Sequence, residues 1–231
     1  DGLRVLILDS TSEGGRIVRL EGEGEPMALV ERYGSVPLPP YVQRVADAED
    51  RERYQTVYAR TVGSVAAPTA GLHFTPELLA AAREAGVSVV HITLHVGLGT
   101  FRPVEAEDPA EHELHAERWA MTPQCASTLN ATREAGGRVW AVGTTSARVL
   151  ETAVMGQGRF QPGEGWTDLY ILPPHRMLGV DGLLTNFHLP RSSLLMLVSA
   201  FAGRELVLDA YRHAVREEYR FYSYGDAMLI V

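Results

Sequence analysis

The sequence predicts an α/β fold, a mostly parallel sheet flanked by helices, preceded by a β-rich fragment. Three observations carry this. Strand-like and helix-like stretches alternate from about residue 63 onward, glycines and prolines fall where helices should stop or start, and the opening residues hold only short strand-length apolar runs around polar turns.

Residues 3–8, LRVLIL, and 16–20, RIVRL, read as short strands around the turn TSEGG. After the polar break EGEGEP comes YGSVPLPPYV, whose prolines force an extended, stiff connector. A domain boundary is therefore expected near residue 45, giving a β-rich fragment over 1–45 and an α/β domain over 46–231. GSVAAPT, residues 63–69, should be a strand running into a loop. Thr75, Pro76 and Glu77 supply a cap, a first-turn proline and an early acid for a helix that Gly86 stops. VSVVHITLHV follows as a strand, completing a unit expected to be parallel and right-handed. RVWAV, GTTS and ARVLETAV repeat the strand–loop–helix theme. WTDLYIL and GLLTNF read as further strands, the latter feeding a helix over LLMLVSAFAG that Ser192 or Ser193 caps and Gly203 ends. RELVLDAYRHAVREEY is amphipathic, and RFYSYGDAMLIV closes as a strand broken by a turn.

An apolar content of 45% with 8% aromatics supports a substantial core. The most apolar helical stretch, Leu194–Gly203, has about half of the roughly 20 residues a membrane span needs, so it reads as a core helix and no membrane partner is expected. The chain opens at Asp1 in what reads as protein interior, and a further amino-terminal portion is expected. Cys125 is the only cysteine, which excludes an internal disulfide and cysteine-rich metal or cluster sites and fits a reducing, cytoplasmic setting. All 21 basic residues are arginine, so phosphate-loop lysines and Schiff-base chemistry are excluded within the chain. The net charge of −8 is uneven: residues 1–117 carry −9 and residues 118–231 carry +1. A polyanion could meet an arginine surface on the second half.

Five polar clusters interrupt this apolar pattern. In VVHITLHVGLGTF, His91, Thr93 and His95 share one face by period two, and His95 falls at the strand's carboxyl end beside Gly97 and Gly99. Packing histidines and site histidines both fit that pattern. EHELHAE offers His112 and His115 at helical spacing, a solvated helix start or a metal cluster, but not the zinc-protease motif. GTTSAR, with Gly143, Thr144, Thr145, Ser146 and Arg148, sits between strand and helix, where free amides suit a carboxylate or phosphate; capping explains only part of its hydroxyls. In TNFHLPRSS, Asn186 and His188 stand where a strand delivers side chains to a cleft, followed by Arg191 and Ser193. FYSYGDAM adds Tyr222, Tyr224 and Asp226 around Gly225.

PLPPYV, RYQTVYA, VAAPTAGLHFTPELL, HVGLGTFRPV, EHELHAE, VGTTSARVLE, GWTDLYI, VDGLLTNFHLPRSSLLMLVSAFAGRE and YRFYSYGDAML occur in this order over about residues 34–231. Together they resemble one family closely, the S-adenosylmethionine:tRNA ribosyltransferase-isomerases of queuosine biosynthesis. The family's usual LPKST stands here as LPRSS, and its FIYP as YILP. The resemblance implies that residues 1–45 are part of a β-barrel domain. It implies transfer of the ribosyl part of S-adenosylmethionine to the aminomethyl group of a deazaguanine at the tRNA wobble position. The group is isomerised to an epoxycyclopentane, and adenine and methionine are released.

S-adenosylmethionine is then a ribosyl-donor co-substrate, with no metal, and the partner is the precursor tRNA; a monomer is expected. By the same resemblance, His188, His95, His73 and Asp226 are candidates for base, acid or orienting group. Thr69, Gly97, Gly99, Thr100, Gly143, Thr144, Thr145, Ser146, Asn186, Ser193 and Tyr224 are candidates for substrate binding, and Arg148 and Arg191 for tRNA. Two other readings compete: a small-molecule α/β enzyme that grips a phosphate or carboxylate with GTTS, and a tRNA-binding module without catalysis.

Overall fold

The computed structural model describes residues 2–11, 15–39, 41–64, 66–97, 108, 114, 116–154, 156 and 158–231. The chain divides into two compact units, Asp1–Glu52 and Arg53–Val231.

In the first unit, β1 (Arg4–Ser10) and β2 (Arg16–Glu21) form an antiparallel ribbon with a register shift between Ile7 and Asp9. Helix α1 (Pro26–Tyr33) starts on a proline and buries Leu29, whose side chain lies against Gly22. A short α2 (Asp50–Arg53) begins at buried Asp50, whose carboxylate takes both guanidinium nitrogens of Arg44 at 2.5 and 2.7 Å.

The second unit is mixed α/β, and its sheets correct the expectation of a mostly parallel arrangement. One sheet is β3 (Thr93–His95), β4 (Glu117–Met121) and β6 (Gly163–Thr167), antiparallel throughout. The other is β5 (Trp140–Val142), β7 (Gly182–Asn186) and β8 (Ala227–Ile230), in which β5 and β7 are parallel and β8 runs antiparallel to β7. The expected strand over GSVAAPT is not formed by its described residues. Ser64 instead ties to Val96 through its hydroxyl, which accepts from the Val96 amide at 2.8 Å. A side chain thus satisfies a backbone group that a ladder would have taken.

The helices begin and end as their local chemistry dictates. Thr75 caps α3 (Pro76–Glu84), accepting from Leu78 N at 3.2 Å; Thr122 caps α4 (Pro123–Glu134), and Ser192 caps α6 (Ser193–Ala202). Gly86, Gly136 and Gly203 follow α3, α4 and α6 at positive φ, where a side chain would be strained. Helices α5 (Thr144–Val154) and α7 (Arg204–Arg216) complete the set. The core lies between α5, β7 and α6: Val149, Val154, Leu183, Leu197 and Val198 are all almost fully enclosed, with Phe160 and Ile171 closing its edge. Among the described residues, no helix is long and apolar enough to cross a membrane.

Candidate active site

Strands β5 and β7 run parallel, and their carboxyl ends open on one side of the sheet, where α/β folds hold ligands. At the end of β5, Gly143 turns at φ 90° and leads into α5; its amide donates to Leu184 O at 2.8 Å, which fixes the loop to β7. Thr144, Thr145 and Ser146 form the first turn of α5, whose amides have no partner within the helix. Thr144 is buried, while Thr145 and Ser146 are half-buried.

A 3-10 helix, Thr69–His73, packs over these strand ends and brings Ala70 against Gly143. Gly71 is buried against Tyr58 and Thr56: a Cβ there would lie 2.0 Å from the Tyr58 hydroxyl. The 54–58 segment thereby becomes one wall of the cleft. Tyr54 meets Tyr224 edge to face at 5.5 Å, and Tyr58 lies 5.2 Å from the His91 ring. Burial pushes the Tyr58 phenol up, and burial together with Arg60 and Arg83 holds His91 below its ordinary value. Behind this wall a cavity of about 570 Å³ runs between residues 86–92 and 137–142 and reaches Ser146.

The end of β7 delivers Asn186, 3% exposed, to the centre of the cluster. Its amide nitrogen stands 3.2 Å from His73 Nε2 and donates to Tyr222 O at 3.2 Å and Gly225 O at 3.5 Å. Its Oδ1 is buried with no partner among the described residues. Those two carbonyls belong to a turn clamped at its base. Arg220 N donates to Asp226 Oδ2 and Asp226 N donates to Arg220 O, both at 2.7 Å. The turn holds Tyr222 at φ 73°, a costly conformation for a bulky residue, and it needs Gly225, where a Cβ would lie 2.4 Å from Arg220 O.

His188 is half-buried beside the cluster. Its Nε2 lies 2.8 Å from Thr185 Oγ1, and its backbone amide donates to the Tyr211 hydroxyl at 2.7 Å. Burial pushes the imidazole down to about 4 and the Tyr211 phenol up to about 12, so both groups are neutral through the physiological range. Asp226 is held below the usual carboxylate value, first by the Arg220 amide and then by its guanidinium, with a smaller contribution from His73.

The structure thus brings together His73, Thr69, Gly143, Asn186, Tyr224 and Asp226, with Thr144, Thr145 and Ser146 at the rim and His188 alongside. His95 lies apart from these contacts: its ring packs on Gly63, where a Cβ would meet Nδ1 at 2.7 Å. Gly97 donates its amide to Glu117 Oε1 at 3.3 Å, while Gly99 and Thr100 lie outside the described residues. Ser193 is the first residue of α6, and Arg191 is exposed at φ 57° on the turn before it.

The placement of Arg148 corrects the expectation of a tRNA contact. Its side chain is 8% exposed and donates to Glu117 Oε2 at 2.5 Å and to Leu169 O at 3.1 Å. Glu117 reaches it because EHELHAE runs into β4 at Glu117; His112 and His115 of that motif lie outside the described residues. Sequence reasoning missed Tyr54, Thr56, Tyr58, Thr185 and Tyr211. The alternation of Tyr54, Thr56 and Tyr58 in RYQTVYA was the signal available for the first three.

Fold and cluster together define a class: a mixed α/β chain with a polar, aromatic-walled cleft at the carboxyl ends of parallel strands. The chain belongs to the queuosine biosynthesis protein family, whose model matches residues 3–230. It is 56% identical over 232 residues to the S-adenosylmethionine:tRNA ribosyltransferase-isomerase of Symbiobacterium thermophilum, covering 100% of this chain and 67% of that protein. The Moorella thermoacetica protein of the same name is 58% identical, covering 99% and 67%. A crystal structure of S-adenosylmethionine tRNA ribosyltransferase from Thermotoga maritima superposes with a TM-score of 0.58 at 36% identity, covering 99% of this chain and 62% of that one. The chain therefore spans about two thirds of the length of the relatives it matches.

Proposed function

We propose that this chain carries the catalytic cleft of an S-adenosylmethionine:tRNA ribosyltransferase-isomerase, with residues 1–45 contributing to a separate β-barrel-type domain and 46–231 forming the α/β domain. The ribosyl moiety of S-adenosylmethionine is transferred to the aminomethyl-deazaguanine at the tRNA wobble position and isomerised, and adenine and methionine leave. One observation carries the reading. Segments far apart in sequence, 54–58, 69–73, 143–146, 186–188 and 220–226, meet in one cleft of a chain more than half identical to relatives bearing that name.

The reaction needs a base for the proton beside the sulfonium, a donor for the departing adenine, and a grip on the methionine carboxylate. The first turn of α5 suits the carboxylate, through its amides and hydroxyls. Tyr54, Tyr58 and Tyr224 offer π-faces to a sulfonium. His188 is a poor base near pH 7 because its conjugate acid forms only near pH 4, so its neutral ring serves as a hydrogen-bonding group. The donor role falls to His73, which the cleft holds beside Asn186, while His95 lies apart from that cluster. Arg191, exposed at the mouth of the β7–α6 turn, is a tRNA contact.

The test is single-turnover assay of the protein with S-adenosylmethionine and precursor tRNA, before and after exhaustive chelation. Adenine release that requires both substrates, adds a ribosyl group to the tRNA and survives chelation supports the reading. Methyl transfer from labelled co-substrate without ribosyl addition refutes it.

A further inference from the structure

We infer that Asn186 is a positioning residue that fixes the tautomer of His73, placing the ring proton on Nδ1 and presenting that N–H to the open side of the cleft. The inference starts from the amide group of Asn186. An asparagine side chain has one donating and one accepting end, and its orientation is set by its neighbours. Here one end faces three acceptor-capable atoms at once: His73 Nε2 at 3.2 Å, Tyr222 O at 3.2 Å and Gly225 O at 3.5 Å. Backbone carbonyls can only accept, so that end is the NH₂.

The opposite orientation would set a carbonyl oxygen against two others. It would also turn the NH₂ toward the side where Oδ1 now has no partner, leaving two donors unsatisfied in place of one acceptor. Asn186 is 3% exposed, so protein groups surround both ends of the amide. The NH₂ has two hydrogens for these three acceptors, and because an amide nitrogen cannot itself accept, an Nε2–H would point at a donor; Nε2 is therefore the unprotonated nitrogen, and the proton of the neutral imidazole resides on Nδ1.

The rest of the cleft keeps this arrangement in place. The two carbonyls that orient Asn186 sit on the turn that the Arg220–Asp226 contacts close, and Tyr222 N is held by Phe187 O at 3.0 Å, one residue after Asn186. Turn and strand end are thus cross-tied on both sides of the amide. His73 itself is exposed on the last residue of its 3-10 helix. Its Nε2 edge is committed to Asn186, and the exposure of the residue leaves the Nδ1 edge as the one a ligand can reach. On the proposed function, which this role presupposes, His73 therefore donates to an electron-rich ligand atom, such as a ring nitrogen of the departing purine, and does not act as the base.

Long-range ¹H–¹⁵N correlation spectra of histidine-labelled protein read the tautomer directly, with His73→Gln identifying the resonance. The wild-type protein is expected to show the Nδ1–H form at His73, and Asn186→Ala to lose that bias. Asn186→Ala should also slow single-turnover adenine release by on the order of 10²-fold or more, since a wrong tautomer in a hydrolase triad costs about 10⁴-fold. An Nε2–H form in the wild type, or an unchanged tautomer in Asn186→Ala, overturns the inference. Absence of adenine release from the wild type would defeat the proposed function while leaving the spectroscopic result to stand.

Discussion

Replacing Arg148 by alanine should unfold this protein more readily without weakening its hold on tRNA. The guanidinium and the Glu117 carboxylate are 8% and 6% exposed and meet at 2.5 Å, and Arg148 also donates to Leu169 O. Removing the cation leaves the Glu117 carboxylate enclosed without its charged partner, with Gly97 N still donating to it at 3.3 Å. Breaking one side of a buried pair costs about 3–5 kcal/mol. For a unit of this size each kcal/mol moves the midpoint by about 2–4 °C, so thermal unfolding followed by circular dichroism should shift down by about 6–20 °C. Arg148→Met combined with Glu117→Gln should recover most of that loss, because it removes both charges while keeping volume. Filter binding of precursor tRNA below the unfolding range should match wild type. An unchanged midpoint with lost tRNA binding would show that the side chain faces the nucleic acid.

Stability should fall in mild acid through His188. Its folded value near 4 lies below the ordinary 6.5, so the unfolded chain binds the extra proton. The contribution is fully present above about pH 6.5 and is lost as pH falls toward 4; at about 1.4 kcal/mol per pH unit it amounts to about 3 kcal/mol. Denaturant titrations at pH 7.5 and 4.5 should show the difference in wild type and a much smaller one in His188→Phe; equal pH slopes would contradict the burial of the ring. Gly71→Ala should displace the Tyr58 ring, since the new methyl would sit 2.0 Å from its hydroxyl. Overpacking of this kind costs about 1–3 kcal/mol, and S-adenosylmethionine affinity by calorimetry should drop with it; a variant of wild-type affinity and midpoint would remove Tyr58 from the cleft wall.

Helix ends were legible because their causes are local. Thr75, Pro76 and Gly86, or Ser192 and Gly203, carry their instructions within a few residues. Sheet direction was not. Nothing in GEGWT or ERWAM announces that β6 and β4 pair, since that pairing joins residues more than forty apart in the chain. The same distinction divides the site. Asn186, His73 and Asp226 stood out as polar residues within otherwise apolar segments. Thr56 and Tyr58 reach the cleft because Gly71, in a distant 3-10 helix, has no side chain to keep them off, and Tyr54 because it packs on Tyr224 from the far end of the chain. Arg148 misled for a related reason: a charge in a helix reads as surface until a partner carboxylate arrives from another strand.

The β1–β2 ribbon carries a consequence for the domain it belongs to. Val5, Leu6, Ile7 and Leu8, with Ile17 and Val18 opposite, all leave more than a third of their surface in water. The ribbon combines β-branched side chains with two backbone edges that pair with no other strand among the described residues. An edge of this kind accepts a further strand, which is what the β-barrel-type domain proposed for residues 1–45 requires of it. Arg4, Asp9, Arg16 and Arg19 flank or interrupt the apolar run and act as electrostatic gatekeepers.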